Sequence, residues 1–218
     1  ITGCSTPMND SAVIFLAPQP VKFNVSGGGA FCDGDSGVVV SIDGSEVNSI
    51  YILLQGGVLP AVPNETGTGN AIDFTKVAAP GFYKVRGISP YGCESYMNDS
   101  VWVNKLLNPA INSVVVTDAL CNNANNGSIA INATTLNGNV QYSIDSALTF
   151  AGSGVFNGLG AKNYYIVVQD DSGCVSKYNA NPVVVDEPIA LNILLQGESP
   201  KCFGDQTGSA TAIVSGGS

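Results

Sequence analysis

A nine-residue stretch near the start of the chain recurs 89 residues later. Residues 3–11 read GCSTPMNDS and residues 92–100 read GCESYMNDS, so six of the nine positions are identical. Cys32 and Cys121 are also separated by 89 residues, so the nine-residue stretch and a cysteine recur with the same spacing. A repeat of this length predicts small domains in series rather than one large domain.

The residues between these landmarks are typical of β structure. Gly, Ser, Asn, Thr and Val dominate, and short apolar runs alternate with clusters of turn-forming residues. Each repeat holds six or seven such runs, and none of the runs has a helical period. This pattern predicts an all-β chain of tandem immunoglobulin-like β-sandwich domains that form an elongated rod.

The predicted strands fall into four groups. An upstream repeat ends with a strand near 12–16, and a downstream repeat begins with strands near 191–195 and 209–214. The predicted strands of the two complete repeats lie at 21–25, 38–42, 50–54, 71–74, 82–88 and 101–103, with a short one near 58–62, and then at 111–117, 128–133, 140–144, 155–159, 164–169 and 183–185, with a weak one near 148–150.

Short junctions that contain proline separate these groups, and proline stiffens the backbone. The sequence therefore divides into the end of an upstream repeat (1–18), repeats at 19–106 and 107–188, and the first strands of a downstream repeat (189–218). The alternating Val, Ile and Tyr residues are expected in the domain cores. Trp102, Tyr164 and Tyr165 are expected there as well.

The composition argues against several functions. The chain has no histidine, which excludes Ser-His-Asp and Cys-His arrangements within it, and its carboxylates are scattered. Its net charge of -9 and its isolated basic residues argue against nucleic-acid binding. No apolar run is long enough to span a bilayer. We expect no enzymatic activity, no cofactor and no membrane insertion of this segment.

Asp33 and Asp35 form the one weak candidate for a metal site. Two carboxylates in one turn suit Ca²⁺ when further oxygen ligands join them. The corresponding loop of the next repeat, residues 122–126, has side-chain oxygens but no charge, and the third has only Asp205. A solvated polar turn is therefore the favoured interpretation.

The six cysteines occur two per repeat and never in C-x-x-C spacing, which favours disulfides of an exported protein. In a seven-strand sandwich Cys32 and Cys93 lie at opposite ends of their domain, too far apart for a disulfide. The strand topology instead predicts a disulfide between Cys32 and Cys174, which would cross the junction between the two complete repeats. The partners of Cys4, Cys93, Cys121 and Cys202 would then lie in neighbouring repeats. Bonds within each repeat, Cys32 to Cys93 and Cys121 to Cys174, and free thiols remain the alternatives.

The second half of the chain resembles SprB-type repeats. Residues 202–217, CFGDQTGSATAIVSGG, are similar to the opening of such a repeat, and 121–131 is a looser copy. Residues 159–170 and Gly173-Cys174 supply the closing half of the signature. Lys162-Asn163 stands where the family has Gly before the aromatic residue. The resemblance extends from Asn108 onward, whereas residues 20–106 match only the broader pattern of immunoglobulin-like repeats.

This resemblance implies a function at the cell surface. SprB-type repeats belong to large adhesins of gliding Bacteroidetes that the type IX secretion system exports. The resemblance implies an extracellular, non-catalytic structural and adhesive segment of a surface filament. Its expected partners are neighbouring repeats, surface polysaccharide or other cell-surface proteins. The alternative is a carbohydrate-binding or spacer module of a large exported enzyme, and exposed aromatics on one sheet face would favour binding.

Three serines are candidates for O-glycosylation. Ser11, Ser100 and Ser146 each follow Asp and precede an apolar residue, which resembles the motif used in Bacteroidetes. Turn residues that lead into a strand are the alternative interpretation.

Overall fold

The computed structural model describes residues 14–217, and their regular structure consists of β-strands. The chain divides into two compact units, Ile1–Lys105 and Leu106–Ser218. Among the described residues, no helix has the length and apolar character needed to cross a membrane. The prediction of an all-β chain is confirmed. The finer division at residues 18 and 188 stays a prediction.

The first unit is a two-sheet sandwich. Its strands are β1 (Val25–Gly27), β2 (Gly29–Cys32), β3 (Val40–Ile42), β4 (Ile50–Gln55), β5 (Leu59–Pro60), β6 (Glu65–Thr66), β7 (Ile72–Asp73), β8 (Gly81–Ile88), β9 (Glu94–Tyr96) and β10 (Val101–Leu106). One sheet has the order β1-β3-β7, and the other has the order β2-β10-β8-β4-β5, with β6 paired to β4 and β9 paired to β8.

The core of the first unit lies between its two sheets. Val40 and Ile42 of the smaller sheet and Leu53, Tyr83 and Val103 of the larger one are fully buried in one cluster. Successive residues of a strand point to opposite faces, so every second residue of β3 and β8 enters this core. The residues between them face away from the core.

The recurring stretch at residues 92–100 closes the first unit. Met97 is buried, and its Sδ accepts a hydrogen bond from the Phe23 N–H at 3.4 Å. The Asn98 N–H donates to the Phe23 carbonyl, and the Asn98 carbonyl accepts from the Val25 N–H. Asp99 follows with a φ of 61°, a left-handed conformation that Asp tolerates. Hydrogen bonds from these residues therefore connect residues 23–25, at the start of β1, to the strand pair β8–β9.

The second unit contains several small sheets in the described part of the chain. The strands are β11 (Ala110–Thr117), β12 (Gly127–Thr134), β13 (Val140–Ser143), β14 (Val155–Leu159), β15 (Lys162–Tyr164), β16 (Val167–Asp170), β17 (Val175–Lys177), β18 (Val183–Val185), β19 (Asn192–Glu198) and β20 (Ser209–Ser215). The sheet orders are β11-β12-β14, β13-β16-β17, β15-β18 and β19-β20.

The core of the second unit joins strands from three of these sheets. The cluster contains Ile129 and Ile131 of β12, Val168 of β16, and Val183 and Val185 of β18. The hairpin β19–β20 has no buried residue. Its position as the start of a downstream repeat stays a prediction.

Several predicted strands were wrong in detail. The sequence does not predict β2, β6, β9 and β17, and residues 21–24 and 148–150 are not strands. The N–H groups of Leu148 and Thr149 donate to the Asp145 carboxylate, so a turn takes the donors that a strand would need. In the upstream segment, Ala12 and Val13 lie outside the described residues, and residues 14–16 form no strand.

Candidate functional site

Trp102 lies on the outer face of the first unit. Its side chain is 63% exposed, whereas its neighbour Val103 on β10 is fully buried. The prediction that Trp102 and Tyr165 belong to the core was wrong. Strand alternation turns Trp102 outward on β10. Tyr165 follows the end of β15 and is 45% exposed, whereas Tyr164 is buried.

Aromatic rings from three strands meet on this outer face. Trp102 of β10 is the register partner of Phe82 on β8, and the two ring centroids are 5.4 Å apart with planes inclined by 58°. The Lys84 ammonium lies 5.4 Å from the Phe82 ring centroid and 5.9 Å from that of Tyr96 on β9. We call Phe82, Lys84, Tyr96 and Trp102 the aromatic face.

The path of the chain explains why these rings converge. Both β9 and β10 pair with β8, at residues 86–88 and 81–83 respectively. The segment 97–100 lies between them, and its buried Met97 anchors it to the core. The side chains of Phe82 and Lys84 alternate with those of the buried Tyr83 and Val85. The aromatic face is thus a product of strand alternation and of the recurring stretch.

Charged groups lie beside the rings. Arg86 is the register partner of Tyr96, and its Nη1 donates to the Glu94 carboxylate at 3.2 Å. Among the described residues, no carboxylate lies within ion-pair distance of the Lys84 ammonium. The face therefore offers two exposed aromatic rings, a cation without an ion pair in the described part of the chain, and an exposed ion pair. This combination suits binding rather than catalysis.

The calcium candidates are engaged in other contacts. Asp33 forms an ion pair of 2.6 Å with Lys105, whose hydrogen bond and charge hold the pKa of that carboxyl below its ordinary value. The Asp35 carboxylate accepts a hydrogen bond from the Cys32 N–H at 3.3 Å. Among the described residues, no group of three or more His, Cys, Asp or Glu side chains is arranged to hold a metal.

The described cysteines fall into two sets. Cys32 and Cys174 are disulfide-bonded, and Cys93, Cys121 and Cys202 are free thiols. Each alternative bond within a repeat, Cys32 to Cys93 or Cys121 to Cys174, would thus require one of the free thiols. Cys4 lies outside the described residues. The bond across the junction stays a prediction.

A buried carboxylate organises the loop around Cys174. Asp170 accepts hydrogen bonds from Thr135 Oγ1, Asn137 Nδ2 and the Cys174 N–H at 2.9–3.0 Å. Burial opposes its ionisation, but these donors outweigh that effect, so the pKa of Asp170 lies below its ordinary value. Asn137 also donates to the Leu107 carbonyl, which places this loop beside the start of the unit.

The second unit has an open cavity of about 840 Å³. Its lining includes Asp145, Lys162, Tyr165 and Glu187. The Asp145 carboxylate binds backbone N–H groups of its own turn, and Glu187 accepts from the Asn123 N–H at 2.8 Å. Because internal contacts occupy both carboxylates, the aromatic face of the first unit is the better candidate site.

The glycosylation candidates differ in accessibility. Ser146 is exposed in a turn with a φ of 66°, and Ser100 is half-buried. Ser11 lies outside the described residues. Modification of these serines stays a prediction.

Comparison with known proteins identifies a repeat in the second unit. Residues 113–149 match the family model described as the SprB repeat. The match lies inside the segment 108–188, so the predicted resemblance to SprB-type repeats is confirmed. A search of curated proteins finds no match.

Two solved structures resemble this chain in fold. The C-terminal 282-residue fragment of intimin, in complex with the intimin-binding domain of the translocated intimin receptor, is 13% identical, with 83% of this chain and 67% of that chain covered and a TM-score of 0.46. The ectodomain of mouse nectin-like molecule 4 is 12% identical, with 77% and 65% covered and a TM-score of 0.29. Neither likeness adds to the functional argument.

Proposed function

We propose that this chain is a non-catalytic structural and adhesive segment of a long cell-surface filament of the gliding-adhesin type. The match of residues 113–149 to the SprB repeat carries the proposal. The recurrence of residues 3–11 at 92–100 supports it, because modules in series form a quasi-linear object. In this role the segment is extracellular and is exported by the type IX secretion system.

The aromatic face supports an adhesive role for the first unit. Exposed apolar patches bordered by polar groups mark interaction sites on soluble domains. Trp102 and Tyr96 are 63% and 48% exposed, with the Arg86–Glu94 pair beside them. The partners in this role are neighbouring repeats of the same chain and a surface polysaccharide or another cell-surface protein.

A disulfide between Cys32 and Cys174 would stiffen such a filament. Both cysteines are disulfide-bonded, whereas Cys93, Cys121 and Cys202 are free thiols, and this difference supports the proposed pairing. On the chain-entropy model, closing so long a loop adds about 4 to 5 kcal/mol of stability.

The second candidate function is a carbohydrate-binding module of a large exported enzyme. The exposed aromatic face is the observation that favours it, since a pure spacer needs no such surface. The complete gene distinguishes the two candidates. Many further repeats support the filament, whereas a catalytic domain with three or four repeats supports the enzyme module.

Immunolabelling of the cells that make this protein tests the filament proposal. Antibodies raised against the 218-residue chain are applied to intact and to permeabilised cells. We expect labelling of intact cells, and loss of the surface label in a strain that lacks type IX secretion. Labelling that requires permeabilisation would overturn the proposal.

A further inference from the structure

We propose that the aromatic face of the first unit binds a linear polysaccharide whose sugars carry carboxylates. This inference rests on the proposed adhesive function and names the chemical class of its ligand. The face consists of Phe82, Lys84, Tyr96 and Trp102, whose contacts are given above.

The exposed rings supply the stacking surface. Aromatic side chains combine a flat apolar body with polar surroundings, and the C–H faces of sugar rings stack on such surfaces. Trp102 is 63% exposed, whereas the core residue Tyr83 is fully buried. The Phe82 ring packs beside the Trp102 ring from the adjacent strand, with 5.4 Å between the ring centroids. A sugar ring on Trp102 thus gains contact without any rearrangement of the core.

The spacing of the rings favours a chain over a single sugar. Tyr96 lies at the register position of Arg86, and Trp102 lies at that of Phe82, four residues earlier on β8. Four strand residues span about 13 Å. A ligand that contacts both rings must therefore extend over more than one sugar residue.

The charge of Lys84 selects for acidic sugars. Its ammonium lies between the Phe82 and Tyr96 rings, which hold it in place without neutralising it. A sugar carboxylate supplies the anion that the described part of the chain does not. The net charge of -9 does not prevent this contact, because salt at physiological strength screens charges beyond about 8 Å.

The same lysine argues against a protein partner. Lysine is depleted at the centres of protein–protein interfaces, where burial of an unpaired ammonium is costly. Here Lys84 stands in the middle of the aromatic face. The hydrated hydroxyls and carboxylates of a polysaccharide leave that ammonium solvated.

Trp102 reports directly on ligand binding, because it is the only tryptophan of the chain. The purified 218-residue chain is titrated with oligouronates prepared from alginate and, separately, with oligosaccharides from neutral dextran. We expect the oligouronates to shift the tryptophan emission to the blue and to protect it from acrylamide quenching. We expect dextran oligosaccharides to bind at least fivefold more weakly.

Variants locate the binding site by calorimetry. Trp102→Ala is expected to weaken oligouronate binding at least tenfold, and Lys84→Gln is expected to weaken oligouronate binding while dextran binding stays unchanged. Tyr165→Ala, which removes an exposed aromatic from the second unit, serves as the matched control and retains wild-type affinity. Circular dichroism verifies that each variant is folded.

Three results would overturn the inference. They are an unchanged tryptophan emission with every oligosaccharide, equal affinity of wild type and Trp102→Ala, and self-association of the chain that Trp102→Ala abolishes. The last would identify a protein-docking surface. If the titration fails but intact cells are labelled, the filament proposal stands and adhesion uses another face. If intact cells are not labelled, the filament proposal fails, and the titration still decides whether the aromatic face binds oligouronates.

Discussion

Trp102 and Phe82 face each other across neighbouring antiparallel strands on the outer side of the sheet, with their ring centroids 5.4 Å apart. The same two strands bury Val103 and Tyr83 on the inner side. The inner side chains stabilise the fold, and the outer pair is available for binding. Substitutions on the two sides should therefore separate stability from adhesion.

Substitution of Trp102 by Ala should cost little stability. The lost aromatic pair is worth about 0.5 to 1.5 kcal/mol. Leu53→Ala, at a fully buried position in the core of the same unit, should cost about 2 to 5 kcal/mol of stability, because it leaves a cavity. Urea unfolding followed by circular dichroism measures both changes. A larger loss for Trp102→Ala than for Leu53→Ala would contradict the assignment of Trp102 to the outer face.

Met97 should contribute more to stability than its neighbour Asn98. Met97 is buried and contacts the Phe23 N–H, so Met97→Ala should cost about 2 to 5 kcal/mol. The Asn98 side chain donates to Asn24 Oδ1 at an exposed position, so Asn98→Ala should cost about 1 kcal/mol or less. Thermal unfolding ranks the two variants. The reverse order would show that Met97 does not close the first unit.

Asp145 should titrate well below the ordinary range. Hydrogen bonds from the Thr149 hydroxyl and backbone N–H, and then from the Ser143 hydroxyl, lower its pKa from 3.8 to about 2. Because the pKa is lower in the folded state, the ionised group stabilises that state above about pH 4, and this contribution is lost as the pH falls from about 4 to about 2.

NMR titration of the Asp145 side-chain carboxyl tests this value. Thr149→Val removes the hydroxyl donor and should move the inflection towards the ordinary pKa. Thr135→Val is the control, since Thr135 donates to Asp170 instead. A wild-type inflection near pH 4, or no effect of Thr149→Val, would show that the turn does not hold the carboxylate as described.

The cysteines should separate into two classes under alkylation. After unfolding without reductant, Cys93, Cys121 and Cys202 should react with iodoacetamide, and Cys32 and Cys174 should react only after reduction. Mass spectrometry of a non-reducing digest should yield a Cys32–Cys174 peptide pair. A Cys32–Cys93 pair would refute the predicted bond across the junction.

Much of the strand pattern is predictable from the sequence, because apolar alternation and turn residues determine it locally. This alternation predicts strands at 50–54 and 82–88, which agree with β4 and β8 to within one residue. The strand β2 begins at Gly29, the last residue of the triplet Gly27-Gly28-Gly29, and glycine is disfavoured in strands. The backbone hydrogen bonds of β2 come from distant residues of β10, which local patterns do not reveal.

The candidate site was harder to predict for a related reason. The expectation that large apolar residues fill the core of a two-layer domain places Trp102 in the core, although it alternates with Val101 and Val103. The alternation was the available signal. The convergence of Phe82, Lys84 and Tyr96 depends on the register of three strands, which the sequence alone does not determine.

The most direct test of an adhesive segment is competition for attachment. Cells that display the full-length protein are allowed to settle on a polyuronate-coated surface in the presence of excess soluble 218-residue chain. We predict that the wild-type chain blocks attachment and that the Trp102→Ala chain does not. Undiminished attachment at saturating concentrations of the wild-type chain would contradict an adhesive function for this segment.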